Sequence, residues 1–152
     1  MKPAALQAEQ TFLNRVEIRL AGESVPPPPA QVSIEARTQL AELPEKGLWR
    51  ADLRIALRPS EDQPLPPYEV EVDITGIFRV VAPMEPDAAR KMAYVNGMSI
   101  LYSSIRETVL LLTGRFPPGP YVLPTLSFVD EYDRLAPLKV AESPAPYGQR
   151  KK

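Results

Sequence analysis

The sequence predicts an α+β domain: a four-stranded antiparallel sheet with helices packed on one face. Three observations carry that expectation. Apolar residues recur at every second position in four successive segments, prolines punctuate the gaps between those segments, and beyond Pro86 the apolar spacing changes to threes and fours.

In the first segment Phe12, Val16, Ile18 and Leu20 alternate with Leu13, Arg15, Glu17 and Arg19, with a break at Asn14 and an end at Gly22. The run VPPPPA follows. Proline has no amide hydrogen and cannot join a ladder, so this run reads as a stiff crossing loop. In the second strand Val32, Ile34, Ala36, Thr38 and Leu40 face one way, opposed by Ser33, Glu35, Arg37 and Gln39, and LPEKG supplies a turn. Trp49, Ala51, Leu53, Ile55 and Leu57 form the third strand, whose other face carries Arg50, Asp52 and Arg54. After the loop RPSEDQPLPP, the fourth strand holds Tyr68, Val70, Val72, Ile74, Phe78 and Val80. Gly76 interrupts it and marks a bulge or a close backbone approach. Pro86 and Asp87 signal a helix start, and DAARKMAYV forms a short helix that Asn96-Gly97 interrupts or ends. A second helix spans about Met98 to Thr113, with Gly114 as its cap and FPPGP as its stop. Residues 1–10 are expected to form a flexible N-terminus, 11–132 the folded domain and 133–152 a flexible tail.

Composition narrows the function. A net charge of −1, from 18 basic and 19 acidic residues, predicts neither a nucleic-acid footprint nor a polybasic membrane surface. No cysteine and no histidine occur, which removes disulfides, thiolate and imidazole metal sites, and the Ser-His-Asp triad. No Walker loop, nucleophile elbow or dinucleotide fingerprint is present, and no cofactor is expected. No run reaches the ~20 apolar residues of a spanning helix, and the start MKPAALQAEQTF lacks a signal-peptide core, so a cytoplasmic protein without membrane insertion is expected. The 19 prolines among 152 residues exceed the usual ~5%. They cluster between apolar segments rather than in low-complexity runs.

On the long helix, Met98, Leu101, Tyr102, Ile105, Val109 and Leu112 fall on one stripe that should cover the sheet. Ile100, Leu110 and Leu111, beside the small Ser103 and Ser104, lie outside it. These five residues predict a helix-mediated contact with another copy, the competing reading being that the following loop covers the two leucines.

The segments GIFRV and NGMSILYSSIRETVLLLTGRFPPGPYVLPTLSFVDEY resemble the SecB family of bacterial protein-export chaperones over roughly residues 11–132. Gly76, Ile77 and Phe78 match the family's Gly-Ile-Phe strand, Arg106 and Glu107 its Arg-Glu pair, and Phe116 and Pro117 its Phe-Pro. Pro124 and Phe128 match its later turn, with one extra residue between them. The sequence departs from the family pattern at the helix start, which reads Leu101, Tyr102, Ser103, Ser104, and at Pro137, which interrupts the C-terminal helical segment. The resemblance implies an ATP-independent holdase, a dimer of dimers packed through long helices, that keeps non-native polypeptides in hydrophobic grooves. It serves either general export or one dedicated client, as in SecB-like chaperones that guard a toxin-antitoxin pair. Family members also present acidic sheet residues to the export ATPase SecA. Glu71 fits one such position, Leu20 and Ser24 replace the expected aspartate and glutamate, and Glu23 lies one residue away.

For the client site the candidates are Phe116, Tyr121, Val122 and Leu123, displayed on a backbone stiffened by four prolines, together with Trp49 and Tyr132 and the ring floor of Phe78 and Phe128. Core packing is the alternative for each aromatic. Two other function classes compete: an enzyme using the carboxylates of Asp130, Glu131 and Asp133 around a hard cation, against which these acids lack the Gly-containing loop of an EF-hand and read as a solvated charge cluster, so that no enzyme is expected, and an oligomeric adaptor that holds no client.

Overall fold

The computed structural model describes residues 1–21, 34–58 and 67–135. Four strands, β1 (Leu6–Leu20), β2 (Glu35–Glu42), β3 (Leu48–Leu57) and β4 (Tyr68–Val80), form one antiparallel sheet in the order β1-β4-β3-β2. Two helices follow, α1 (Pro86–Thr113) and α2 (Phe128–Leu135), and α1 packs on β4, β3 and β1.

The period-two pattern of β3 and β4 fixes their faces. Ile55 lies opposite Val72 and Leu53 opposite Ile74, so the apolar sets of both strands share the helix side, and all four side chains are buried. A tight turn joins β2 to β3. Gly47 has φ +76°, which a residue with a Cβ adopts at a cost, and its carbonyl accepts the Val80 amide at 2.8 Å. The loops VPPPPA and RPSEDQPLPP, the start of the expected second strand at Val32 and Ser33, Ser24 and Glu23, and the tail from residue 136 with Pro137 lie outside the described residues, apart from Arg58 and Pro67 at the ends of the second loop.

At β1 the structure corrects the sequence reading twice. The strand begins at Leu6, which is buried and opposite Val80, and the Val81 amide donates to the Ala5 carbonyl at 2.8 Å. Residues 6–10 therefore belong to the sheet rather than to a flexible N-terminus. Register shifts on either side of Glu9 and of Asn14 add one residue of β1 at each point. Across the second shift the faces exchange. Leu13 joins Val16, Ile18 and Leu20 opposite Ile74, Val72, Val70 and Tyr68, while Phe12 lies opposite Thr75 on the outer face. The Asn14 side-chain amide donates to Thr75 Oγ1 at 2.8 Å.

The helix is also one element, not two. It starts at Pro86 with Asp87 in its first turn, where a carboxylate suits the helix dipole, and it runs through Asn96-Gly97 unbroken for 28 residues. A Cβ on Gly97 would stand 3.3 Å from the Phe78 ring, and one on Gly76 only 2.4 Å from it. The ring of Phe78 is thus wedged between the glycine two residues earlier in its own strand and the glycine of the helix above. Gly76 answers to a close approach, with no bulge in β4 itself. Gly114 does cap α1, in the right-handed region rather than the left-handed one, and its amide reaches the Leu110 carbonyl at 3.1 Å. Asp133, Arg134 and Leu135, expected in the tail, form the last residues of α2, where Asp133 pairs with Lys91 at 2.8 Å.

Candidate functional site

Beyond α1 the chain folds back along the helix, and side-chain donors pin it by its carbonyls. Tyr68 donates to Gly119 O at 2.5 Å, Tyr102 to Pro124 O at 2.5 Å, and Arg106 Nε to Leu123 O at 3.1 Å. The Tyr121 amide donates to Thr113 Oγ1 at 2.8 Å. Each of these bonds satisfies a main-chain group of a proline-rich segment that has no ladder to join. Arg106, matched from sequence to the family's Arg-Glu pair, is one of these pins. None of the three donors carried a local sequence signal for the role, because their partners lie 17 to 51 residues away.

Pinning turns alternate side chains inward. Tyr121 and Leu123 are buried in the core, and Trp49, opposite Phe78 on β3, is buried as well. For these three residues the expectation of a displayed client surface is corrected: in the single chain they are core, as are Phe78 and Phe128. The Tyr121 ring packs edge-on to Tyr68 at 5.9 Å, which fixes it in place. Val122 points outward at 44% exposure. Phe116 is half-buried against Tyr68 at 5.8 Å, and Tyr132 is half-buried against Tyr94 at 5.4 Å with Lys91 over its ring. Val129 and Leu135 of α2 are also exposed. Trp49 Nε1 and Tyr121 Oη are buried with no hydrogen-bond partner, and they lie toward opposite ends of the sheet, Trp49 opposite Phe78 and Tyr121 against Tyr68.

A second apolar surface lies on the other part of α1. Met98, Leu101, Tyr102, Ile105 and Val109 are buried as the stripe predicts, but Leu112 is exposed and leaves it. Ile100, Leu110, Leu111 and Leu112 are all exposed, Leu111 most at 66%. Ser103 is exposed and Ser104 half-buried, each bonded to the carbonyl four residues earlier. The Tyr68 hydroxyl reaches the Thr113 carbonyl at 3.3 Å, and Tyr68 pairs with Leu20, so the C-terminal end of α1 and the end of β1 lie at the same end of the sheet. Leu20 at that end, and Val16 and Leu13 further along β1 toward mid-strand Ile74, sit on the helix side of the sheet and remain exposed. The β1 half of this surface was not legible from sequence, since the Asn14 bulge decides which face Leu13 takes.

Glu71 lies on the opposite face of the sheet. Its side chain is 14% exposed and enclosed by Arg15 at 2.8 Å, Arg58 at 3.3 Å and Arg54 in direct contact. In the single chain, three guanidinium groups hold the carboxylate that was expected to face the export ATPase. Next to it, the hydrogen bond from Arg15 and then the charge of Arg19 keep the Glu17 carboxyl below its ordinary value. Of the acids proposed as cation ligands, Glu131 pairs with Arg134 and Asp133 with Lys91. Among the described residues, no group of three carboxylates is placed to hold a metal ion.

Two of the buried tyrosines give the loop a pH limit. Burial pushes the hydroxyls of Tyr102 and Tyr121 up to about 12, against about 10 for a free phenol. An unfolded chain therefore loses these protons first as pH rises, and folding stability falls between pH 10 and 12. At pH 11 the expected loss is roughly 1–1.5 kcal/mol per tyrosine. Urea unfolding at pH 8 and pH 11 checks it, and equal stability at both would contradict the placement of these rings.

The chain is similar to the SecB-like chaperone of Mycobacterium tuberculosis, solved in complex with a ChAD peptide from the HigA1 antitoxin. The two share 22% identity and a TM-score of 0.57 over 81% of this chain and 91% of that one. The fold is SecB-like. A protein of unknown function from Streptococcus agalactiae is similar at 16% identity and a TM-score of 0.50, over 80% of this chain and 97% of that one. No family model matches the sequence, and no curated protein matches it either. Within this SecB-like fold the quoted motifs fall on β4 (Gly76 to Phe78), on α1 (Arg106 and Glu107) and on the pinned segment (Phe116 to Pro124). No helix of the described residues is long and apolar enough to cross a membrane.

Proposed function

We propose that this chain is an ATP-independent chaperone that self-associates through α1 and β1 and holds a non-native segment of a dedicated polypeptide client in the cytoplasm. The observation that carries the reading is the pair of uncovered apolar surfaces on a SecB-like fold, more than one chain of this size needs to leave wet. The surface of α1 and β1 serves copies of the chain as a dimer of dimers. The outward Val122 and half-buried Phe116 of the segment after α1, with Tyr132 of α2, receive the client. A dedicated client is favoured over general export because Glu71 is taken up by arginines and Leu20 is apolar. The neighbour from Mycobacterium tuberculosis, moreover, holds a peptide of an antitoxin.

Light scattering of an unfolding client supplies the test. The purified chain at equimolar ratio is expected to suppress aggregation without nucleotide, and copurification is expected to recover one small partner rather than SecA. Unchanged aggregation would leave the adaptor reading in its place, and recovery of SecA would return the chain to general export.

A further inference from the structure

The segment between α1 and α2 lies on the body of the chain as an extended peptide lies on a receptor. From Pro120 to Thr125 it makes no main-chain bond to another main chain among the described residues. Tyr121 and Leu123 are buried while Pro120, Val122 and Thr125 are exposed, the every-second-residue burial of an extended chain. The groups that hold it belong to β4 and α1. Tyr68 Oη, Arg106 Nε and Tyr102 Oη donate to the carbonyls of Gly119, Leu123 and Pro124, and Thr113 Oγ1 accepts the Tyr121 amide. All four reach main-chain atoms, so they read no particular sequence, and the elements that carry them are not built by the segment they hold.

Two features make this occupant replaceable. The Tyr121 hydroxyl is buried without a hydrogen-bond partner among the described residues, a cost that disappears when the segment lifts into water. Gly119, at φ +89° with no atom within 4 Å of where a Cβ would stand, leaves the start of the segment room to swing. Pro120 and Pro124 keep the stretch between them stiff. We infer that this strap is a built-in stand-in for a client, and that the site beneath it takes an extended segment of a non-native polypeptide with an aromatic and an aliphatic residue two positions apart. The client's carbonyls accept from Tyr68, Arg106 and Tyr102, and its ring packs edge-on to Tyr68 where Tyr121 now does. Phenylalanine suits the first position better than tyrosine, since it brings no hydroxyl to leave unpaired. This rests on the chaperone reading and adds to it a covered site and a preferred client pattern.

Fluorescence anisotropy of the full chain tests it with a labelled Gly-Pro-Phe-Val-Leu-Pro-Thr peptide. The strap is tethered at both ends and competes at a high effective concentration, so the parent is expected to bind this peptide weakly. Thr113→Val, which removes the acceptor of the Tyr121 amide, is expected to bind it about tenfold more tightly. Tyr121→Phe removes only the unpaired hydroxyl and seats the strap more firmly, so about fivefold weaker binding is expected. A Gly-Pro-Ser-Val-Ser-Pro-Thr peptide is expected to bind at least about tenfold more weakly than the first. Hydrogen exchange at the Tyr121 amide gives a second readout, faster than the parent in Thr113→Val and slower in Tyr121→Phe, with circular dichroism to show that both variants are folded. Equal binding of the two peptides, no binding by either the parent or Thr113→Val, or exchange in Tyr121→Phe as fast as in the parent would each overturn the inference. Client aggregation separates the two readings. Suppression that persists while parent and variants bind the peptide alike removes the strap and leaves the chaperone, whereas no suppression by any of them removes both.

Discussion

Phe78→Ala is expected to destabilise the chain by about 3–5 kcal/mol, the largest single loss in this fold. The ring is fully buried at the point where β4, β3 and α1 meet, opposite Trp49 on one side and Ala8 on the other. Its neighbours cannot collapse into the space. Gly76 and Gly97 have no side chains to move, and the backbones of strand and helix were brought close because those residues are glycine. A cavity therefore remains, and its cost adds to the lost transfer of the ring from water. Chemical denaturation followed by far-ultraviolet circular dichroism measures the loss. A change under about 1 kcal/mol would mean that the helix does not sit on the ring as described.

Leu111→Asp is expected to reduce the assembly to single chains, with Leu20→Ser strengthening the effect. Burial of one leucine contributes roughly 1.5–3 kcal/mol, or about 10- to 100-fold in a dissociation constant, and a buried unpaired carboxylate opposes association further. Leu111 is two-thirds exposed in the single chain, so the fold itself has little to lose. Molar mass by light scattering, before and after the substitution, decides the matter, followed by the aggregation assay on both samples. An unchanged mass would move the proposed self-association surface away from α1, and a parent chain that is already monomeric would remove it.

The four strands and, apart from Leu112, the buried stripe of α1 were readable because alternation and helical spacing are local patterns that burial enforces directly, whereas the order of the strands in the sheet was not. Other features depended on partners distant in sequence. Asn96-Gly97 reads locally as a break, yet Gly97 is inside α1 because Phe78 needs its bare backbone. Asn14 was visible as an interruption of alternation. Only pairing with β4 shows that it is an extra residue that moves Leu13 to the helix side and Phe12 to the outer side. Tyr121 and Leu123 looked like displayed side chains in a rigid turn, and Thr113 and Arg106 draw that turn inward. Glu71 matched a family position by its own identity, while its surroundings come from residues 15, 54 and 58, which only the register gathers.

The segment after α1 is gripped through its carbonyl oxygens, by Tyr68, Tyr102 and Arg106, rather than through the side chains it turns to solvent. Every residue type offers the same oxygen. Substitutions at the outward positions of that stretch, Val122 among them, therefore alter the surface it presents while leaving the clasp that shapes it in place.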